Sequence, residues 1–134
     1  MAKIKESSTI QSNKAAAFQE CPVTYVMEKI GGYWKPIILL NLLSGNRRYS
    51  DLRRSIPAIT EKVLIQQLKQ LEADGLITRK ALPVVPPHVT YSLTRSGAGL
   101  KHVLYAMATW AVTDSKENAK TFSRNLRNFP GMSR

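Results

Sequence analysis

The segment SDLRRSIPAIT, residues 50–60, constrains the fold more than any other part of the chain. Ser50 is of the residue type that starts a helix by capping its free amides, and Leu52 and Ile56 are apolar partners one helical turn apart. Pro57 ends that helix, because its ring removes a backbone donor and pushes the preceding residue out of the helical region. Only three residues later Thr60 can cap a second helix, TEKVLIQQLKQLEADG, which stops at Gly75. Two helices on so short a joint must cross each other, which is the helix-turn-helix pattern.

The flanking segments complete the pattern. CPVTYVMEKIGG reads as a short helix, with Pro22 in its first turn, Val23, Val26, Met27 and Ile30 on one side, and Gly31-Gly32 as its stop. YWKPIILLNLLSG follows, and Trp34, Ile37, Ile38, Leu39, Leu40, Leu42 and Leu43 leave it little polar surface, which predicts a buried central helix. After Gly75, LITRKALPVVPPHVTYSL reads as two strands around a loop stiffened by Pro83, Pro86 and Pro87. Val89, Tyr91 and Leu93 alternate there with His88, Thr90 and Ser92. Thr94 caps a final helix in which Leu100, Val103, Leu104, Met107 and Ala111 keep helical spacing, with Trp110 beside them. The expected class is mainly α with a small β-hairpin (α+β), a winged helix-turn-helix. Residues 1–14 read as a flexible polar arm, 15–113 as the folded domain, and 114–134 as the helix end and a basic tail.

On a helical wheel of residues 60–74, Leu64, Leu68 and Leu71 form the core stripe. Lys62, Gln66, Lys69, Gln70 and Ala73 lie opposite, and the two acids Glu61 and Glu72 share a flank near Ile65. A face meant only for water usually mixes both signs of charge, whereas this one holds amides and ammonium groups alone. Glutamine can pair with adenine through two hydrogen bonds, and lysine can reach guanine or a phosphate. Lys62 and Gln66, nearest the helix start, are expected at base edges and Lys69 and Gln70 at the groove edge, with Thr60 and Ile65 also counted among the DNA-binding residues of this helix. Arg47, Arg48, Ser50, Arg53 and Arg54 flank the first helix of the pair, where backbone phosphates would lie. Arg79, Lys80, Val85, Pro86, Pro87 and His88 form the expected wing contact.

Charge supports a nucleic-acid partner. Lys and Arg number 20 against 9 Asp and Glu, a net charge of +11, and such an excess attracts polyanions. Composition alone leaves a sequence-nonspecific nucleic-acid module, architectural or RNA-binding, as the alternative to a sequence-specific binder of double-stranded DNA. No signal-like apolar segment and no run of about 18 apolar residues is visible, so a soluble cytoplasmic protein without membrane contact is expected. His88 and His102 lack zinc-ligand spacing, Gly31-Gly32 lacks the phosphate-loop lysine pattern, and no serine sits in a nucleophile elbow. Neither an enzyme nor a cofactor is expected.

Taken in order and spacing, CPV, IGGYWKPIILLNLL, RRYSDLRRSIPAIT, KVLIQQLKQLEADGLI, PVVPPHVTYSLT and the following Gly97 resemble the HxlR family of winged-helix transcriptional regulators, relatives of the MarR-type repressors. The resemblance implies a homodimer that places one helix of each subunit in a major groove, with the terminal helices as the interface. Lys62, Gln66 and Gln67 match the family's DNA-reading positions. Gln67 is commonly Arg in the family, Ile65 commonly a small hydroxyl residue, and His88 stands where Arg or Lys is usual. These departures imply a less charged contact. The dimer interface is expected to include Phe18, Leu100, Val103, Leu104, Met107, Trp110 and Ala111, whose alternative role is packing within the subunit.

Cys21, the sole cysteine, precedes Pro22 and so occupies the cap of the first helix, where free amides and the helix dipole favour a thiolate. Glu20 opposes this. Some relatives resembling this sequence use a cysteine here to sense quinones, aldehydes or oxidants, so a small electrophile or thiol is an expected partner. The alternative is a small residue fitting a tight helix start.

Overall fold

The computed structural model describes residues 21–115 and Asn118. The expected N-terminal arm, Phe18 and nearly all of the basic tail lie outside these residues. Helix α1 (Pro22–Ile30) belongs to one compact unit, Met1–Gly32, and the remaining elements to a second, Tyr33–Arg134. In α1, Pro22 sits at the first turn, and the helix closes with the Gly31 amide donating to the Met27 carbonyl at 2.7 Å. Gly32 leaves it at a φ of 98°, a conformation that side chains disfavour.

In the second unit, α2 (Lys35–Leu42) is the centre, as its apolar composition predicts. It packs against α3 (Tyr49–Ser55), α4 (Glu61–Ala73), β3 (His88–Leu93) and α6 (Lys101–Asp114). Ile38, Leu39 and Leu42 supply its buried side, with Leu52 from α3, Ile56 just after it, and Leu64, Leu68 and Leu71 from α4 filling the same core. The last predicted helix is divided. Thr94 caps α5 (Arg95–Gly99), its hydroxyl accepting from the Gly97 amide at 3.0 Å, and Leu100 stands between α5 and α6.

The sheet has three strands where the sequence predicts a hairpin of two. β2 (Ile77–Leu82) pairs antiparallel with β3 from Ile77 opposite Leu93 to Leu82 opposite His88. Residues just before α3 form β1 (Arg47–Arg48), which adds to the other edge of β3, with Arg47 opposite Tyr91. This strand ties the start of the helix-turn-helix to the wing. Among the described residues, no helix is long and apolar enough to cross a membrane.

Candidate nucleic-acid interface

Three local devices fix α4. At its start the Thr60 hydroxyl accepts from the Val63 amide at 3.2 Å, the capping role its sequence position predicts. At its end the Gly75 amide donates to the Glu72 carbonyl and the Leu76 amide to the Leu71 carbonyl, each at 3.0 Å, with Gly75 at a φ of 76°. That pair of bonds is a Schellman closure, and it turns the chain directly into β2. Between α3 and α4 the turn is anchored by buried Ile56 and Ile59. The Arg53 guanidinium crosses this turn and donates to the Ile59 carbonyl at 2.6 Å.

With Leu64, Leu68 and Leu71 almost wholly buried, α4 cannot rotate, and Lys62, Gln66, Lys69, Gln70 and Ala73 are exposed together on its outer side. The face read from the wheel is therefore present as a surface. Gln67 is half-buried at its edge and Ile65 is exposed on the opposite flank, facing the wing rather than outward. Thr60 is exposed, with its hydroxyl engaged in the cap.

The arginines around α3 are less available than their charge suggests. Arg47 donates to the Asn41 carbonyl at 3.3 Å and to the Ser44 hydroxyl, Arg53 holds the turn, and Arg54 pairs with Asp51 at 2.5 Å. Arg47 and Arg53 thus act as hydrogen-bond donors within the fold. The capping role expected of Ser50 is corrected. The helix begins two residues earlier with Arg48 at the cap, whose amide donates to the Asp51 carboxylate at 3.3 Å, so Ser50 lies in the first turn and is exposed. The Arg54 guanidinium beside Asp51 holds that carboxyl below its ordinary value.

A cleft of about 560 Å³, not foreseen from sequence, separates α4 from the wing. Glu61, Ile65, Lys69 and Glu72, one stripe of α4, form one wall; Arg79, Pro87, Val89 and Tyr91 form the other; Arg48, Tyr49 and Ser50 close the end. The wheel groups the acids on one flank, but only the position of the wing shows what that flank faces. The Tyr49 phenol oxygen is buried, and Glu61 is the carboxylate that acts on it. Burial first, then that carboxylate, raises the phenol above its ordinary pKa. Arg79 and Lys80 are exposed on β2, His88 is half-buried opposite Leu82, and Val85, Pro86 and Pro87 are exposed at the tip.

In α1, Cys21 is exposed at the cap position. The Thr24 amide, then the Val23 amide and the Thr24 hydroxyl, hold its thiol below the ordinary value. Val23 and Met27 are well exposed in the same helix. On α6, Val103, Met107 and Trp110 are exposed, Trp110 at 68 %, while Leu100 and Ala111 are half-buried. Leu104 is 2 % exposed. It is buried within the fold, the packing role that the sequence leaves as the alternative to an interface.

Comparison with known proteins agrees with this geometry. Residues 29–119 match the family described as HxlR-like helix-turn-helix. The HTH-type transcriptional regulator YtfH of Escherichia coli K12 is 40 % identical over 110 residues, covering 82 % of this chain and 86 % of that protein. The oxidised form of the redox regulator HypR superposes with a TM-score of 0.66 at 39 % identity, over 70 % of this chain and 97 % of the other. The reduced form of the Bacillus subtilis transcriptional regulator YodB gives a TM-score of 0.63 at 32 % identity, over 72 % and 96 %. The fold, the helix-turn-helix and the family match converge: the chain belongs to the HxlR-like helix-turn-helix family of transcriptional regulators.

Proposed function

We propose that the chain is a sequence-specific regulator that binds double-stranded DNA as a homodimer in the cytoplasm, on a pseudo-palindromic operator. One observation carries this reading. The outer side of α4 presents only lysine, glutamine and alanine to solvent while three buried leucines hold it in place. Gln66 and Lys62 read base edges, Lys69 and Gln70 the groove margin, and Arg48, Arg54, Arg79 and Lys80 bind phosphates. The exposed Val103, Met107 and Trp110 of α6, spaced on one helical face, support a second copy covering them, with Leu100 and Ala111 at the margin. Selection of bound oligonucleotides from a random pool tests the proposal. The expected product is a palindrome with half-sites centred about 34–36 Å apart. An unenriched pool would support a sequence-nonspecific module instead.

The exposed, thiolate-favouring Cys21 supports a sensor role, as does the likeness to HypR and YodB, one a redox regulator by name and the other studied with diamide. An electrophile or oxidant modifies Cys21 and alters operator affinity. With a single cysteine in the chain, any disulfide joins two subunits or a small thiol. Operator binding by the wild type should respond to diamide or a quinone while Cys21→Ser does not, and an equal response from both would remove the sensor.

A further inference from the structure

The tip of the wing is apolar in a molecule with a net charge of +11. No charged residue stands between Lys80 and His88. Val85 is 99 % exposed, Val84 50 % and Leu82 38 %. Backbone donors are scarce too: Pro83, Pro86 and Pro87 have no N–H, and the Val84 amide donates to the Leu82 carbonyl at 2.8 Å. Among residues 83–87 that leaves the Val85 amide alone, so this loop cannot hold a phosphate by charge or by a set of amides. It instead offers a stiff point of aliphatic surface to whatever lies beyond it.

We propose that the wing tip is an apolar wedge, with Val85 at its point, that enters the DNA minor groove beside each half-site and senses how easily the base step there deforms. The proposal rests on the DNA-binding reading above. Its occupant is argued from continuity with that interface. The wing and α4 are the two walls of one cleft, with Lys69 on one side and Arg79 on the other, so both border the same surface. A six-residue strand spans about 20 Å, and half a turn of duplex, from one groove to the next, is about 17 Å. A minor groove about 6 Å wide admits a valine side chain. Aliphatic side chains and prolines pushed between base pairs partly unstack them and bend the duplex, at a cost that is lowest for flexible pyrimidine–purine steps. Sequence preference would thus extend to positions at which the protein makes no hydrogen bond.

The test uses the full chain and duplexes that carry its selected site flanked by either a TA or an AA step. Affinity is read by titration and bending by energy transfer between end labels. Wild type should bend the duplex and bind the TA-flanked site about tenfold more tightly. Val85→Ser, at a fully exposed position that does not contribute to the core, should lose the flank preference and most of the bend while keeping the salt dependence. If Gln66→Ala loses its preference for the site but Val85→Ser behaves as wild type, the wedge is refuted and DNA binding stands. If wild type itself does not prefer its site over bulk DNA, the underlying reading falls with it. A Val85→Ser protein normal on DNA but defective in transcription with RNA polymerase would place the tip on a protein and overturn the proposal.

Discussion

Gly97→Ala should destabilise the domain although it replaces glycine by the best helix former. An alanine Cβ at this position would stand 2.0 Å from the Leu76 carbonyl oxygen, 3.0 Å from its carbon and 3.2 Å from the Leu93 Cδ2. An ordinary non-bonded separation is about 3.5 Å, so the junction must open by roughly 1.5 Å. The Leu76 oxygen is also the acceptor for the Thr94 amide at 3.0 Å, and the Thr94 hydroxyl donates to the Gly75 carbonyl at 2.7 Å. Opening the junction therefore strains bonds that join α5 to the root of the wing. Overpacking costs about 1–3 kcal/mol and a weakened hydrogen bond about 0.5–1.5 kcal/mol, while helix propensity returns about 0.8–1 kcal/mol. The net loss should be about 1–3 kcal/mol. Gly99→Ala is the control. Nothing lies within 4 Å of its Cβ, and it should be neutral or stabilising by about 0.4–1 kcal/mol. Urea unfolding followed by circular dichroism, at one fixed protomer concentration, should show a midpoint lower by on the order of 1 M for Gly97→Ala alone. A Gly97→Ala midpoint at or above that of wild type would refute the close-approach argument.

Two further outcomes follow from the exposed groups. Because amides lower the Cys21 thiol pKa, its thiolate exists at a lower pH than that of an unstructured peptide, so the alkylation rate by iodoacetamide should rise through a midpoint below that of an unstructured peptide carrying the same cysteine. A midpoint at or above the peptide's, measured side by side, would contradict the capping geometry. If α6 joins two copies as proposed, Trp110→Glu should weaken self-association by about 2 kcal/mol or more, roughly thirtyfold in the dimerisation constant by sedimentation equilibrium. Unchanged self-association would place the interface away from α6.

What the sequence discloses and what it hides divide along physical lines. The Thr60 cap, the leucine stripe of α4, the stop at Gly75 and the alternation in β3 are local patterns, set by residues within a turn or two of one another. The cap, the stripe and the stop are all present in the fold, and β3 forms as a strand in which Tyr91 alone is buried. Features made by distant residues are the ones that differ. β1 is two residues long and exists because Arg47 meets Tyr91 across the chain, a pairing no short window contains. Ser50 has the chemistry of a cap, but that pairing holds Arg47–Arg48 extended and Tyr49 opens the helix, with the Asp51 carboxylate meeting the Arg48 amide. The apolar stripe of α6 looks uniform in sequence, yet packing against α2 buries Leu104 and leaves Met107 and Trp110 in solvent. Arginine partners are invisible for the same reason: Arg53 finds the Ile59 carbonyl only once the turn is made.

Whether the outer side of α4 reads bases is measured by a cycle of base and residue substitutions. Each base pair of the selected half-site is changed in turn and affinity is measured for wild type and Gln66→Ala. Gln66→Ala should lose about 1–3 kcal/mol on the selected site and become indifferent to one symmetrically placed base pair while still discriminating at the others. A uniform loss across every sequence, or no loss at all, would mean that this face does not read the groove.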